Sequence, residues 1–272
     1  MKNIGSRLIK DIKEINLKDL PKVFHNKEKA SHLSSAYNAF KTSEVLKVLE
    51  GEHNIVPVGY LVASKDGIGK HATFLRNRND IVSPDKALAL GIKSYPEFII
   101  ENSNSGTSAF KMYHAEMVNQ CANGLIVSHG SEEKFRSLHR GHTIKEIMKS
   151  ISQFMKTRNL INERLEGWKK TFLPEKAALK FATESLIAKY GESDSKLELI
   201  ENLAPSMLTP IRESDDISNL WNLYNNCEER LTKGGMITLN KRSARAMKSF
   251  NKIELEKRLS ALTQKYFLKF KK

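Results

Sequence analysis

Apolar and polar positions change rhythm twice along this 272-residue chain. Leu8, Ile9, Ile12 and Ile15 recur at helical spacing, which predicts a short amphipathic helix within residues 5–20. Thr42 or Ser43 stands where a helix cap is wanted, ahead of Val45, Leu46 and Leu49 on one face, with Gly51 as the stop. The period then shortens to two. Residues 55–64 and 71–77 predict strands joined by the loop Lys65-Asp66-Gly67-Ile68-Gly69-Lys70. Residues 84–90 read as one or two helical turns. Residues 97–103 and 107–117 predict a hairpin, because Asn104-Ser105-Gly106 between them is turn chemistry. Residues 124–128 and 134–139 predict two further strands.

From Thr143 the period lengthens again. Thr143 and Glu146 form a capping box. Ile144, Ile147, Met148, Ile151, Phe154 and Met155 then follow as one apolar stripe, which predicts a helix running to Phe172. Pro174 opens a second helix that Gly191 ends. Residues 192–216, with Pro205 and Pro210, read as a surface segment. A third helix carries Leu220, Trp221, Tyr224, Cys227 and Leu231 and stops at Gly234-Gly235. A last helix, 251–270, presents Leu255, Leu259, Leu262, Tyr266 and Phe270. The fold class expected is α+β: an antiparallel sheet of four to six strands with helices on one face, then a mostly helical carboxyl half. The expected divisions are a helical segment 1–53, an α+β core 54–172 and a helical region 173–272 with a basic tail.

Charge sharpens this picture. There are 45 Lys and Arg against 31 Asp and Glu, a formal +14. The excess is blocked: residues 134–180 net +8 and residues 241–272 net +9, while residues 192–216 net −5. Such blocks point to a polyanion as partner. Two cysteines, Cys121 and Cys227, exclude a disulfide framework and suit a cytoplasmic setting. The longest apolar run is far short of a membrane span.

Catalytic chemistry is hard to find. The Lys65–Lys70 loop lacks the first Gly and the Ser or Thr of a phosphate loop, where Ser64 and His71 stand. His114, His129, His139 and His142 cluster in sequence with Cys121, but without the paired spacing of zinc ligands. No nucleophile elbow is present. The expectation is therefore a binding protein, not an enzyme, with no metal and no cofactor. Arg76 and Arg78 fall on one strand face with Phe74. Lys134, Arg136, His139 and Arg140 gather before the helix that Thr143 caps, where free backbone N–H groups suit phosphate. Lys145, and Lys241, Arg242 and Arg245 of the second block, complete the candidate nucleic-acid contacts.

The middle of the chain resembles the YfjQ/YafZ/YubP-type family of prophage- and plasmid-borne proteins. The resemblance rests on Pro96-Glu97-Phe98-Ile99-Ile100-Glu101-Asn102-Ser103, on Gly106-Thr107-Ser108, on Cys121-Ala122-Asn123-Gly124-Leu125 and on Arg136-Ser137-Leu138-His139-Arg140-Gly141. It continues in Leu220-Trp221-Asn222-Leu223-Tyr224 and Leu231-Thr232-Lys233-Gly234-Gly235. The family usually reads N-S-H-D-G where this chain has Asn102-Ser103-Asn104-Ser105-Gly106, so that His-Asp pair is missing. Val118 likewise stands where the family often has Arg. The resemblance implies a mobile-element setting. The order of hairpins then long helix is also similar to the core of phage single-strand annealing proteins of the Redβ/RecT type, an analogy of fold alone. The expected function is single-stranded DNA binding or annealing in recombination or replication. A homo-oligomeric ring or filament would cover the apolar stripe of the last helix. The alternative is a host-interaction or anti-defence protein that binds a bacterial protein.

Overall fold

A computed structural model describes residues 13–63, 67–82, 84–92, 94–118, 123–127, 134–137, 144–213, 215–233, 247 and 249–271. The chain divides into two compact units, residues 1–124 with 130–158, and residues 125–129 with 159–272.

The first unit is built on the sheet that the period-two segments predict. Its strands are β1 (Ile55–Val62), β2 (His71–Asn77), β3 (Ser94–Asn102), β4 (Phe110–Val118), β5 (Asn123–Ile126) and β6 (Lys134–Ser137). The order is β1-β2-β3-β4-β5, and β6 also pairs with β4. The pairs β1–β2, β2–β3, β3–β4 and β4–β6 are all antiparallel. β1 is an edge strand, where Pro57 is tolerated, and the Pro57 carbonyl accepts from Ile15 N–H of the amino-terminal segment at 2.8 Å. Helices α1 (Thr42–His53) and α3 (Ile144–Lys156) pack on one face, and α2 (Pro84–Ala89) lies between β2 and β3 in the chain. Leu75, Phe98, Ile100, Phe110 and Met112 of the sheet meet Val45, Leu46 and Leu49 of α1 and Ile147, Ile151 and Phe154 of α3. Burying each such side chain contributes about 1.5–3 kcal/mol, which is what holds two marginal helices in place.

Three local details differ from the spacing. Lys41, not Thr42 or Ser43, is the N-cap of α1, because the Thr42 hydroxyl is committed inside the core. The helix passes Gly51 and ends at His53, where Asn54 takes a left-handed conformation (φ 54°) that asparagine tolerates. Residues 143–172 are not one helix. The helix breaks at Thr157, whose N–H bonds Phe154 three residues back, and α4 (Arg158–Lys170) begins anew. The cap residue Thr143 and residues 5–12 of the predicted first helix lie outside the described residues, and the described part of that helix, 13–20, holds only a 3-10 turn, Leu17–Asp19.

The second unit is helical: α4 from Asn159 onward, α5 (Glu175–Tyr190), α6 (Asp194–Leu203), α7 (Leu220–Thr232) and α8 (Ser249–Phe270). The acidic stretch read as a surface segment contains α6 and a 3-10 turn, Ala204–Leu208, with Ile200, Ala204 and Met207 fully buried. Trp168, Phe181, Leu186, Tyr224, Cys227 and Leu259 fill the core. The Cys227 thiol is pushed up to about 12 by burial, so it is inert rather than nucleophilic. Leu255, Leu259, Leu262 and Tyr266 of α8 are all buried within this one chain. Phe270, the last residue of that stripe, is only partly buried. Among the described residues no helix is long and apolar enough to cross a membrane.

Candidate functional site

The predicted phosphate contacts meet the structure unevenly. Arg76 is the clearest correction. Alternation along β2 places it on a face expected to be open, yet the residue is fully buried. Its Nη2 lies 2.8 Å from Oε1 of Glu97, which neighbours it across β3, and the Tyr95 ring sits 4.7 Å from the guanidinium carbon. The same face carries Ile99, Glu101 and Ala115, also fully buried. The strands are covered on both faces, so alternation there separates two interiors rather than inside from outside. Arg78 is no longer in the strand. It opens a 3-10 turn, Arg78–Asp80, and bonds Glu14 and Glu50 at 2.8 and 2.7 Å. Two carboxylates occupy this guanidinium, which staples the amino-terminal segment and α1 to the end of β2.

Of the other candidates, Lys134 and Arg136 lie in β6, where Arg136 is in register with Lys111. Lys145 lies in α3. His139, Arg140, Lys241, Arg242 and Arg245 fall outside the described residues, as do His129, His142 and Cys121. The Gly67–Lys70 part of the glycine loop directs its carbonyls inward: Gly67 accepts from Asn26, Ile68 from Asn104 and Gly69 from His71. A phosphate cradle needs N–H groups presented instead.

The two ends of the sheet carry different chemistry. At one end the β3–β4 turn, the segment on which the family resemblance partly rests, closes a buried network. Asn102 Nδ2 donates to Thr42 Oγ1 at 2.9 Å, and Thr42 Oγ1 is 2.7 Å from His71 Nε2. His71 Nδ1 is 3.0 Å from the Gly69 carbonyl, which accepts only. A proton therefore sits on Nδ1, facing that carbonyl. Gly106 takes φ +80°, and a Cβ there would stand 2.7 Å from Leu33 Cδ2. The Thr42–His71–Asn102 chain ties α1 to β2 and the end of β3, which makes this end a brace. Thr42→Val should lower stability by about 1–3 kcal/mol, because it strands two buried polar groups at once. Chemical denaturation checks this, and an unchanged midpoint would contradict it.

The opposite end opens into a cleft of about 690 Å³ lined by His53, Ile55, Asn77, Asn79, Asp80, Pro96, Phe98, Ser152, Met155, Lys156 and Arg158. Its walls are pinned. His114 donates from Nε2 to Thr157 Oγ1 (2.9 Å), since that hydroxyl donates to the Phe154 carbonyl, and its ring stacks on Phe154 at 4.2 Å. Arg158 Nη2 binds Glu116 at 2.6 Å, and Ser94 donates to the same carboxylate. The helix break at Thr157 therefore anchors the end of α3 to β4, and the cleft lies beside that anchor. Ile55, Pro96, Phe98 and Met155 give it an apolar floor.

The polar groups of the cleft are uncommitted to differing degrees. Asn77 caps the Arg78–Asp80 turn, accepting from Asn79 N–H at 3.0 Å. Asp80 follows in that turn, half-buried, and makes no ion pair within 4 Å among the described residues. Burial pushes its carboxyl up, against the pull of Arg76 and then Arg158, both already held by Glu97 and Glu116. His53 Nε2 is buried without a hydrogen-bond partner among the described residues. Lys156 is exposed at the rim. A carboxylate, an imidazole and an ammonium around an apolar floor can hold a flat polar ligand that bears an anion. Spacing did not find this site, because its residues come from seven elements. The Asn77-Arg78-Asn79-Asp80 turn after a strand was its one local signal.

The family described as "Domain of unknown function (DUF932)" matches residues 29–260. Two proteins of Escherichia coli (strain K12) are similar to this chain, each at 25% identity: UPF0380 protein YafZ over 177 residues and UPF0380 protein YfjQ over 176. Each match covers 65% of this chain and 59% of the relative. The chain thus spans under two thirds of the length of those relatives. No solved structure matches it.

Proposed function

We propose that this chain, which belongs to the DUF932 family, binds single-stranded nucleic acid through its first unit. The observation that carries the reading is the cleft beside α3, with Lys156 at its rim. A concave site with an apolar floor admits an unpaired nucleotide, whereas a duplex keeps its bases stacked away from such a floor. Lys149 and Lys156 are exposed two helical turns apart on α3, so they present charge along one line for a sugar–phosphate backbone. The part of the basic block that belongs to the first unit, residues 134–158 with seven Lys and Arg against one Glu, supports the same reading. The corresponding role is strand binding or annealing in the replication or recombination of a mobile element, in the cytoplasm.

Fluorescence anisotropy with a labelled single-stranded oligonucleotide tests it. Affinity should fall steeply as salt rises. Lys149→Ala with Lys156→Ala should weaken binding and flatten the salt slope by about one to two, with the melting temperature unchanged. No binding at low salt, or binding indifferent to salt, would remove the reading.

A further inference from the structure

Asp80 is the least explained group in the first unit. It closes a turn that is rigid on both sides: Asn77 caps it, and Ile81 N–H returns to the Arg78 carbonyl at 3.2 Å. Arg78, held by Glu14 and Glu50, fixes the turn against α1. The two nearby guanidinium groups are committed elsewhere, Arg76 to Glu97 and Arg158 to Glu116. A half-buried carboxylate that makes no side-chain hydrogen bond or ion pair among the described residues, on a rigid turn that lines a cleft, is able to accept from a donor.

The donor must come with a particular body. The floor of Ile55, Pro96, Phe98 and Met155 wants a flat apolar face, and Lys156 at the rim wants an anion. A nucleotide has both. Among the bases, guanine alone presents two adjacent donors, N1–H and the 2-amino group, on its pairing edge. Those two match the two oxygens of a carboxylate. Adenine and cytosine set a ring acceptor beside their amino donor, and that acceptor would face a carboxylate oxygen. Thymine and uracil flank a single N–H with two carbonyls.

We propose that the cleft is a guanine-selective nucleotide subsite in which Asp80 reads the base edge and Lys156 holds the phosphate. The inference rests on the reading of this cleft as a seat for an unpaired nucleotide, and it adds the base that the seat selects.

Calorimetric titration of the full chain with GMP, AMP, CMP and UMP tests it, beside anisotropy with guanine-containing and guanine-free oligonucleotides. GMP should bind about tenfold or more tightly than AMP, the discrimination expected of one bidentate edge contact. Asp80→Asn should abolish that preference, and its thermal melt should match the parent. Lys156→Ala should weaken GMP but leave guanosine unchanged. Equal affinity for the four nucleotides, or a preference that survives Asp80→Asn, overturns the subsite. If salt-dependent strand binding persists in that case, the strand-binding reading stands without it. If GMP is selected but no oligonucleotide binds, the subsite stands and strand binding falls.

Discussion

Glu97→Ala should be the most damaging single substitution in the first unit. It removes the counter-charge of Arg76, whose side chain is 1% exposed, and leaves a buried guanidinium with the Tyr95 ring and the weaker pull of Asp80 beside it. Breaking one partner of a buried pair costs about 3–5 kcal/mol, because the remaining charge is uncompensated. For a unit of this size that is a fall on the order of 10 °C in melting temperature. The pair itself is a different matter. Replacing both residues with apolar side chains of similar volume, Arg76→Met with Glu97→Leu, should recover most of the loss, since desolvation offsets much of the attraction. Urea denaturation followed by far-ultraviolet circular dichroism separates these outcomes. A Glu97→Ala protein as stable as the parent would mean that Arg76 reaches solvent after all.

The second large effect is a pH dependence of the helical unit. Glu228 and Glu256 are both buried, and Lys252 Nζ stands 3.3 Å from one and 3.5 Å from the other. Thr232 donates to Glu228 Oε1, while Glu228 Oε2 has no hydrogen-bond partner among the described residues. Burial pushes the Glu256 carboxyl well above its ordinary value of 4.5; Lys252 opposes the shift and Glu228 adds to it. The folded protein thus holds a proton that the unfolded chain releases. That contribution is fully present below pH 4.5 and is lost as pH rises through the raised value. Glu256→Gln keeps a hydrogen-bonding head without the charge. It should flatten the decline and raise stability at alkaline pH by about 1 kcal/mol or more. The protein's two tryptophans, Trp168 and Trp221, both belong to this unit, so their fluorescence reports its unfolding. A Glu256→Gln variant with the same pH profile as the parent would show that the carboxyl is not the titrating group.

Much of the framework was legible because it depends on local rhythm. Period-two segments located all six strands, and Asn104-Ser105-Gly106 located the β3–β4 turn. What escaped depends on partners distant in sequence. Arg76 looked like a surface base because alternation cannot tell a solvent face from a second interior, and its partner lies 21 residues on. The helix through residues 143–172 looked continuous because its apolar stripe is. Thr157 breaks it by turning its hydroxyl to Phe154 and receiving His114, 43 residues away. Residues 194–208 looked like surface because seven acidic residues around them hide Ile200, Ala204 and Met207. The cleft was invisible for the same reason. His53 ends α1, Asp80 ends the turn after β2, Phe98 lies within β3 and Lys156 ends α3, and only the fold brings them to one place.

Photocross-linking of an iodouracil-substituted single strand, followed by peptide mapping, tests the central claim most directly. The account predicts adducts in the peptides that line the cleft, residues 53–55, 77–80 and 152–158, and their loss when unlabelled single strand competes. Adducts confined to the helical unit, or none at any salt concentration, would contradict it.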